Sequence, residues 1–568
     1  MKPAFRFLLL FIVLVQPFFG FGYTHQDTLR GSNGRGRDWW NVVKYDLTIN
    51  IDTATKTISG TNAMTFKVIA PPRDSMQIDL QEGMELEMPH ACVDCPQPFS
   101  NPFVREGNVY WITKPNQAYK VGGEYSIELN FQGKPRIAKN PPWDGGLIWT
   151  KDSLGKPWIA VACQGLGASV WWPCKDYQGD EPDRGMQFWV EESFERNPYK
   201  IISNGRFTDG DSIIQEDPVT GGIATKWVAD IHFWHVQNPI NTYDVTFYIG
   251  DYAHWHDTLR GEKGVLDLDF YPLKYNEAKA RKQWSVVKEM LRCYEYWLGP
   301  YPFYEDGYKL VEAPYLGMEH QSAVAYGNQY KMGYLGRDRS GTGVGLSFDF
   351  IIIHESAHEW FGNSITAQDI ADNWIHEGFA TYVESLFAEW IKGKDAGTAY
   401  TMGEWKNIKN DRPLIGDYGV NNEGSSDIYD KGSAVVFMIR QMLNDDVKFR
   451  ELLRGLNKDF YHKIVTTKEV EDYISRFVGK DLKPFFDQYL RSTIIPELHQ
   501  KLIGKTLSFF WGNAVLDFDA PIAISQDGGK TFSNYSATTK ISLNLSKKEQ
   551  KQVRIKLLGL YTWAESEQ

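Results

Sequence analysis

The chain has 568 residues, which is too long for one hydrophobic core, so we expect two to four domains. Its content of 42% hydrophobic and 14% aromatic residues is typical of a packed globular protein and excludes an extensively disordered chain. The formal net charge of -11 leaves no basic footprint for nucleic acid, and we expect no nucleic-acid partner.

Residues 1–22 have the pattern of a secretory signal peptide. Lys2 and Arg6 precede an apolar core, and the small residues around Gly20 fit the site that a signal peptidase cleaves. The alternative is a retained membrane anchor, but the apolar run is short for a bilayer span and is interrupted by Pro17. We therefore expect export to the periplasm or the extracellular space, with no stable membrane span after signal removal.

The next part of the chain, residues 23–250, is predicted to be an antiparallel β domain. Its apolar residues mostly alternate with polar ones, and Gly, Asn and Pro lie between the alternating segments. The predicted strands are Tyr45–Ile51, Thr57–Ile69, Gly107–Thr113, Gly123–Phe131 and Thr242–Ile249.

Five cysteines are few for an exported chain of this length. Cys92 and Cys95 lie in a Pro-rich polar stretch that we interpret as a loop, where a local disulfide is one open alternative. A structural zinc site there needs two more ligands, which the nearby sequence does not offer. Because the number of cysteines is odd, at least one is free or pairs with another chain.

Residues 251–493 are predicted to be mainly helical with a small sheet. Apolar residues recur every three and four positions from Trp284 to Leu298, which predicts an amphipathic helix that Gly299 ends. Tyr308–Glu312 is a strand candidate. Further helices are predicted at Lys431–Leu443, Val447–Leu456, Lys468–Phe477 and Leu482–Leu490.

Alternation returns at the end of the chain and predicts a small β module over residues 494–568. Its predicted strands are Leu507–Phe510, Ala514–Phe518, Ile541–Leu545 and Val553–Leu558.

The sequence F-I-I-I-H-E-S-A-H carries a metal-binding pattern, in a segment that we expect to end at Gly362-Asn363. His354 and His358 lie four residues apart, so on a helix their imidazoles share one face and can reach one ion at about 2.0–2.1 Å. Glu355 lies beside them, where such motifs carry the general base of a metalloprotease.

A catalytic zinc ion needs a third protein ligand, and Glu377 is the natural supplier. It follows His358 after eighteen residues and begins a second apolar-periodic segment that we interpret as a helix. The alternative is that these histidines are ordinary core residues, but burying two His and a Glu together without a metal is costly. We therefore predict a site for one Zn²⁺ ion.

These motifs, with Gly317-Met318-Glu319 upstream, resemble the zinc aminopeptidases of the gluzincin clan, which include aminopeptidase N and the leukotriene hydrolases. The resemblance extends from the β domain through Leu490. It implies a multidomain α+β fold in which residues 251–493 form a thermolysin-like catalytic domain. It also implies an enzyme that removes N-terminal residues from peptides with a free N-terminus.

The resemblance assigns further roles by position. Glu319 matches the glutamate that binds the substrate's α-amine, with Gly317 and Met318 in the same substrate-binding motif. Gln164 matches a residue that helps to hold that amine. Tyr429 matches the tyrosine that donates a hydrogen bond to the oxyanion of the tetrahedral intermediate.

The chain departs from the family pattern at three places. Leu316 and His320 stand where Gly and Asn are usual, which puts the strand's hydrogen bonds to substrate in doubt. The predicted C-terminal module replaces a large helical domain, so we expect a more open cleft and disfavour hydrolysis of a lipid epoxide. Two alternatives stay open, a gluzincin endopeptidase and a non-catalytic peptide- or glycan-binding protein on the same fold.

Overall fold

The computed structural model describes residues 22–87, 103–113, 119–192, 199–214, 227–536, 541–557 and 559–564. Cys92, Cys95 and the predicted signal peptide, except its last residue, lie outside these ranges. Within them, no helix is long and apolar enough to cross a membrane.

The secondary structure is rich in strands before residue 275 and in helices from there to residue 490. The α-helices are α1 (His25–Gly31), α2 (Glu277–Gln283), α3 (Val287–Leu298), α4 (Phe350–Ala357), α5 (Trp374–Lys392), α6 (Lys394–Glu404), α7 (Asp430–Leu443), α8 (Asp446–Asp459), α9 (Thr467–Val478), α10 (Lys483–Leu490) and α11 (Lys547–Gln552).

The strands, in chain order, are β1 (Trp40–Asp52), β2 (Thr57–Val68), β3 (Ser75–Asp79), β4 (Met84–Leu86), β5 (Phe103–Glu106), β6 (Val109–Thr113), β7 (Glu124–Gly133), β8 (Gly146–Lys151), β9 (Pro157–Ala162), β10 (Met186–Glu192), β11 (Lys200–Ser203), β12 (Arg206–Ile214), β13 (Trp227–Val236), β14 (Phe247–Gly250), β15 (Trp255–Gly261), β16 (Gly264–Tyr271), β17 (Tyr308–Glu312), β18 (Gly317–Met318), β19 (Val324–Tyr326), β20 (Ile365–Ala367), β21 (Lys463–Val465), β22 (Glu497–Ile503), β23 (Thr506–Gly512), β24 (Pro521–Ser525), β25 (Ser533–Ser536), β26 (Ile541–Asn544), β27 (Arg554–Lys556) and β28 (Trp563–Ala564).

The N-terminal region is built on a seven-stranded sheet with the order β12-β13-β10-β1-β2-β7-β4, accompanied by a four-stranded and a three-stranded sheet. The alternation that predicted β1 is real, because Tyr45, Leu47 and Ile49 are all buried. The predicted antiparallel β domain is confirmed in most of its pairings, and among its named strands the exception is β1 with β10, which pair in parallel. The predicted strand at residues 242–249 begins only at Phe247, because residues 242–244 form a 3₁₀ turn capped by Asn241.

A five-stranded sheet, β15-β16-β17-β19-β18, carries one wall of the catalytic region. Its two faces bury side chains in different cores: Leu310 packs into the helical core and the adjacent Val311 into the N-terminal core. The edge strand β18 pairs only with β19, with Met318 opposite Ala325. The sheet thus fixes the Gly317-Met318 strand between the two cores. The domain boundaries at residues 250 and 493 stay a prediction.

The helix that carries His354, α4, begins at a strong cap and ends immediately before His358. The Asp349 carboxylate accepts hydrogen bonds from the backbone N–H groups of Ile351 and Ile352. The expected end at Gly362-Asn363 was wrong, because α4 ends at Ala357. The following turn closes on the helix when the Asn363 N–H donates to the His358 carbonyl at 2.9 Å.

The C-terminal module contains two small sheets, with the orders β26-β23-β22-β28 and β25-β24-β27. The predicted strand at Ala514–Phe518 is wrong, because the Phe518 N–H donates to the Val515 carbonyl in a turn. Phe518 at the end of this segment, and Ala520 just after it, pack into the core of the helical region, whereas Leu516 is exposed.

Two glycines let α5 and α7 approach closely behind the site. A Cβ atom on Gly432 would lie 2.8 Å from the Gly378 Cα atom, which is too close for a side chain. Gly378 follows Glu377, and Gly432 lies one turn after Tyr429. The helix crossing therefore sets the distance between these two site residues.

We expect Gly432→Ala to lower the melting temperature of the protein by about 3–10 °C, because the added methyl overpacks the helix crossing. Differential scanning calorimetry measures this shift. Ser433→Ala is the matched control, since Ser433 is buried and its hydroxyl has no hydrogen-bond partner among the described residues. Equal melting temperatures for the two variants would show that the crossing is not tight.

Candidate active site

Three side chains converge on one point between α4 and α5. His354 Nε2 lies 3.3 Å from His358 Nε2 and 3.4 Å from Glu377 Oε2, and His358 Nε2 lies 3.3 Å from the same Oε2 atom. Ligands about 2.0–2.1 Å from a tetrahedral zinc ion are separated by about 3.3–3.4 Å. The buried Glu377 Oε2 atom also lacks a hydrogen-bond partner among the described residues. These three residues fit a zinc ion.

The Nδ1 atom of each histidine also has a hydrogen-bond partner. His354 Nδ1 lies 2.8 Å from Glu384 Oε1, and the Tyr400 hydroxyl donates to Glu384 Oε2 at 2.6 Å. His358 Nδ1 donates to the Phe361 carbonyl at 3.0 Å. Such contacts fix the ring orientation and the tautomer that leaves Nε2 free for a metal.

By its position in the sequence Glu384 fits two roles, a support for a metal ligand and a structural salt bridge, and its contact with His354 Nδ1 gives it the first role. Its spacing of seven residues from Glu377 on α5 was the available signal, because positions two turns apart share a helix face. Tyr400, on α6, was missed, and no motif marks it.

The pKa values of the histidines and carboxylates in this cluster depend strongly on one another. Burial alone lowers the pKa of His358, but the carboxylates of Glu377 and Glu319 raise it to about 9. Burial raises the pKa of Glu377, yet the two histidines outweigh that effect and bring it below its usual value. A cation among these groups therefore replaces protons that the cluster otherwise attracts.

Glu355 faces the edge strand β18. A Cβ atom on Gly317 would lie 2.6 Å from Glu355 Oε1, so glycine is required there for the carboxylate to fit. Burial, and the neighbouring charge of Glu319, raise the pKa of Glu355 to about 8 against the lowering effect of His354. The site thus holds a buried carboxylate able to exchange a proton near neutral pH beside the metal ligands.

Tyr429 lies on the other side of the ligands. Its ring stacks on the His354 ring with centroids 5.9 Å apart, and its side chain is half-buried. Burial and the charge of Glu377 raise its pKa well above the usual value, so the phenol stays a hydrogen-bond donor at neutral pH.

Glu319 and Gln164 meet at one end of the cleft, although they are 155 positions apart in the chain. Gln164 Nε2 donates to Glu319 Oε1 at 2.5 Å, and the hydroxyl of the buried Tyr243 donates to the same oxygen at 3.3 Å. Asn363 holds the Glu319 carbonyl at 2.8 Å. Tyr243 and Asn363 were missed, because neither belongs to a recognisable local motif.

The two residues that depart from the family's strand motif, His320 and Leu316, lie in different environments. His320 is fully buried, its Nδ1 atom lies 2.7 Å from the Tyr248 hydroxyl, and it does not line the cleft. Burial lowers its pKa to about 3, so the ring is neutral. Leu316 does line the cleft, next to Gly317 and Met318.

All nine predicted site residues line one cleft with a cavity volume of about 490 Å³. They are Gln164, Gly317, Met318, Glu319, His354, Glu355, His358, Glu377 and Tyr429. At the end opposite Glu319, Arg339 lies over the Phe350 ring and its guanidinium donates to Asp430 Oδ1 at 2.9 Å. The ligands lie between these two ends.

Comparison with known proteins agrees with this geometry. Residues 284–489 match the Peptidase family M1 domain. Leukotriene A-4 hydrolase of Xenopus laevis is 21% identical over 458 residues, covering 77% of this chain and 68% of the relative. Aminopeptidase N of Lactobacillus delbrueckii subsp. lactis is 22% identical over 436 residues, covering 73% of this chain and 46% of the relative. The chain thus spans less than half the length of some curated relatives.

Solved structures share the architecture. The M1 zinc metallopeptidase from Deinococcus radiodurans superposes with a TM-score of 0.63 at 20% identity, covering 81% of this chain and 95% of that one. A two-domain M1 zinc metallopeptidase bound to L-tryptophan gives a TM-score of 0.64 at 20% identity, covering 81% and 96%.

The three residues His354, His358 and Glu377 fit one Zn²⁺ ion, and the solved structures that share this fold are M1 zinc metallopeptidases. Residues 284–489 thus match the Peptidase family M1 domain, and the described fold is that of the two-domain M1 metallopeptidases, in agreement with the resemblance seen in the motifs.

We expect Glu384→Gln to weaken zinc binding by about 10- to 100-fold, because the neutral amide no longer supports the basicity of His354. Competition with a chromogenic chelator measures the dissociation constant. Glu389→Gln is the control, since Glu389 lies on the same helix and pairs with Arg440 at 2.7 Å, away from the ligands. If both variants bind zinc as tightly as the parent protein, Glu384 does not support the site.

Proposed function

We propose that the protein is a zinc-dependent aminopeptidase that removes the N-terminal residue of peptides. The observation that carries this proposal is Glu319, a carboxylate only 3% exposed that faces the same cleft as the three ligands. A carboxylate there pairs with the α-ammonium of a substrate, whereas an endopeptidase has no use for that charge. Relatives named as aminopeptidases support the same reading.

Glu355 is the proton-transfer residue of the proposed reaction. When bound, zinc supplies Lewis-acid polarisation and makes water in the site more acidic. Glu355 accepts a proton from the attacking water at its carboxylate and gives it to the leaving nitrogen as the peptide bond breaks.

Tyr429 and the amine-binding pair position the substrate. Tyr429 donates its O–H to the carbonyl oxygen of the scissile bond as negative charge develops there. Glu319, with Gln164 hydrogen-bonded to it, holds the α-ammonium and so places the first peptide bond beside Glu355. The fixed distance from the amine to the cleaved bond restricts the enzyme to one residue per turnover.

The test compares leucyl-p-nitroanilide with N-acetyl-leucyl-p-nitroanilide. We expect acetylation to lower kcat/KM by roughly 100-fold or more, because it removes the charge and leaves the buried Glu319 carboxylate unpaired. Equal cleavage of both compounds, or of internal bonds in blocked peptides, would identify an endopeptidase. Zinc binding without turnover of either compound would identify a non-catalytic binding protein.

We also infer that the protein is exported, which the charged start and apolar core of residues 1–22 support. N-terminal sequencing of the exported protein should begin near Tyr23, and a chain that keeps its first residues in the membrane would contradict the inference.

A further inference from the structure

One carboxylate in the cleft has no part in the proposed reaction. Glu423 lies in the segment before Tyr429, lines the same cleft and is exposed to it. Among the described residues its hydrogen-bond partner is the neutral amide of Asn373, whose Nδ2 donates to Glu423 Oε1 at 3.0 Å. Among the described residues Glu423 forms no ion pair, and the cation whose charge acts on it, Arg412, lies 4.0 Å from Asp411.

The two aspartates that line the cleft, Asp427 and Asp430, already accept hydrogen bonds from other residues. Asp430 accepts two hydrogen bonds from Arg339, at 2.9 and 3.1 Å. Asp427 accepts backbone N–H groups of Lys409 and Asn410 at 3.0 and 2.6 Å. Glu423 therefore differs from these two aspartates, because it faces the cleft without an ion-pair partner among the described residues.

Glu423 lies at the amine-binding end of the cleft. Its neighbour Asn421 donates to the Gly165 carbonyl at 3.1 Å, directly beside Gln164. Asn373 also immediately precedes α5, the helix that begins near Glu377. The opposite end, occupied by Arg339, lies beyond Phe350 on the far side of His354.

An exposed aromatic side chain lines the same cleft. Trp143 is 63% exposed. Its loop packs on the turn after Gln164, because a Cβ on Gly145 would lie 2.9 Å from the Leu166 Cβ. The cleft that contains Gln164 and Glu319 therefore also offers an aromatic ring and the Glu423 carboxylate.

We propose that Glu423 is a specificity-determining residue that makes the cleft select peptides whose N-terminal residue is lysine or arginine. Such a residue presents two cations, its α-ammonium and its side-chain charge, to two carboxylates, Glu319 and Glu423. Its aliphatic stem and charged end also suit the exposed Trp143 ring. This inference rests on the proposed aminopeptidase function.

The electrostatics of the cleft agree with this assignment. Enclosure by the protein, and the nearby charges of Glu377 and Glu319, raise the pKa of Glu423 to about 7 despite the opposing effect of Asn373. A cation placed beside Glu423 relieves that repulsion and favours the ionised carboxylate.

The test compares lysyl- and norleucyl-p-nitroanilide, whose side chains differ in the terminal ammonium group. The parent protein should prefer the lysyl compound, and Glu423→Gln should lower the ratio of the two kcat/KM values by roughly 10- to 100-fold. Glu423→Asp should keep part of the preference. Glu451→Gln, a charge removal on the exposed face of α8, should leave the ratio unchanged.

The other possible results distinguish an error in the role of Glu423 from an error in the proposed aminopeptidase function. An unchanged ratio in Glu423→Gln overturns the inference, and an equal fall for both substrates assigns Glu423 to the α-amine instead of the side chain. Melting temperature and zinc content show whether the variant is folded. If the parent hydrolyses neither compound, the aminopeptidase function fails, and calorimetry of L-lysine against L-norleucine on the zinc-loaded proteins still tests the selectivity of Glu423.

Discussion

Two imidazoles and a carboxylate held within 3.4 Å of one another, all buried, are the constraint on which the rest of this structure depends. Such a cluster is costly in a protein interior unless an ion or protons neutralise it. The surrounding chain supplies what the ion needs to be held rigidly. Glu384 and the Phe361 carbonyl fix the two rings, and the close crossing of α5 and α7 brings Tyr429 beside them.

The five-stranded sheet places its edge strand along the cleft. Its edge strand, Gly317-Met318, lies against Glu355 and leads directly into Glu319, so one short segment runs along the site. The N-terminal β region contributes Gln164, which is hydrogen-bonded to Glu319, so this end of the cleft is formed by two parts of the chain. In the proposed reaction the α-amine is therefore held where the two regions pack, and proton transfer takes place beside α4.

The features that depend on the spacing of residues along the chain could be predicted from the sequence. The proximity of His354 and His358 was predicted from the helical repeat. Strand β1 and the C-terminal ends of α3 and α7 were predicted from the spacing of apolar residues along the chain. Contacts between distant segments have no such signature, which is why Tyr400, Tyr243 and the Gly378–Gly432 crossing were not predicted. The strand predicted at Ala514–Phe518 failed because this segment forms a turn, in which Phe518 packs against the helical region and Leu516 is exposed. Glu423 belongs to no motif and is recognisable only from its place in the cleft.

The central claim is that the zinc ligands and the proton-transfer residue are separate groups within one cluster. Its most direct test is the Glu355→Gln variant, in which zinc content and leucyl-p-nitroanilide hydrolysis are measured on the same purified sample. The account predicts one zinc ion per chain and a rate lowered by about 100-fold or more, because an amide cannot accept the proton from water. A variant that keeps both its zinc and most of its activity would contradict it.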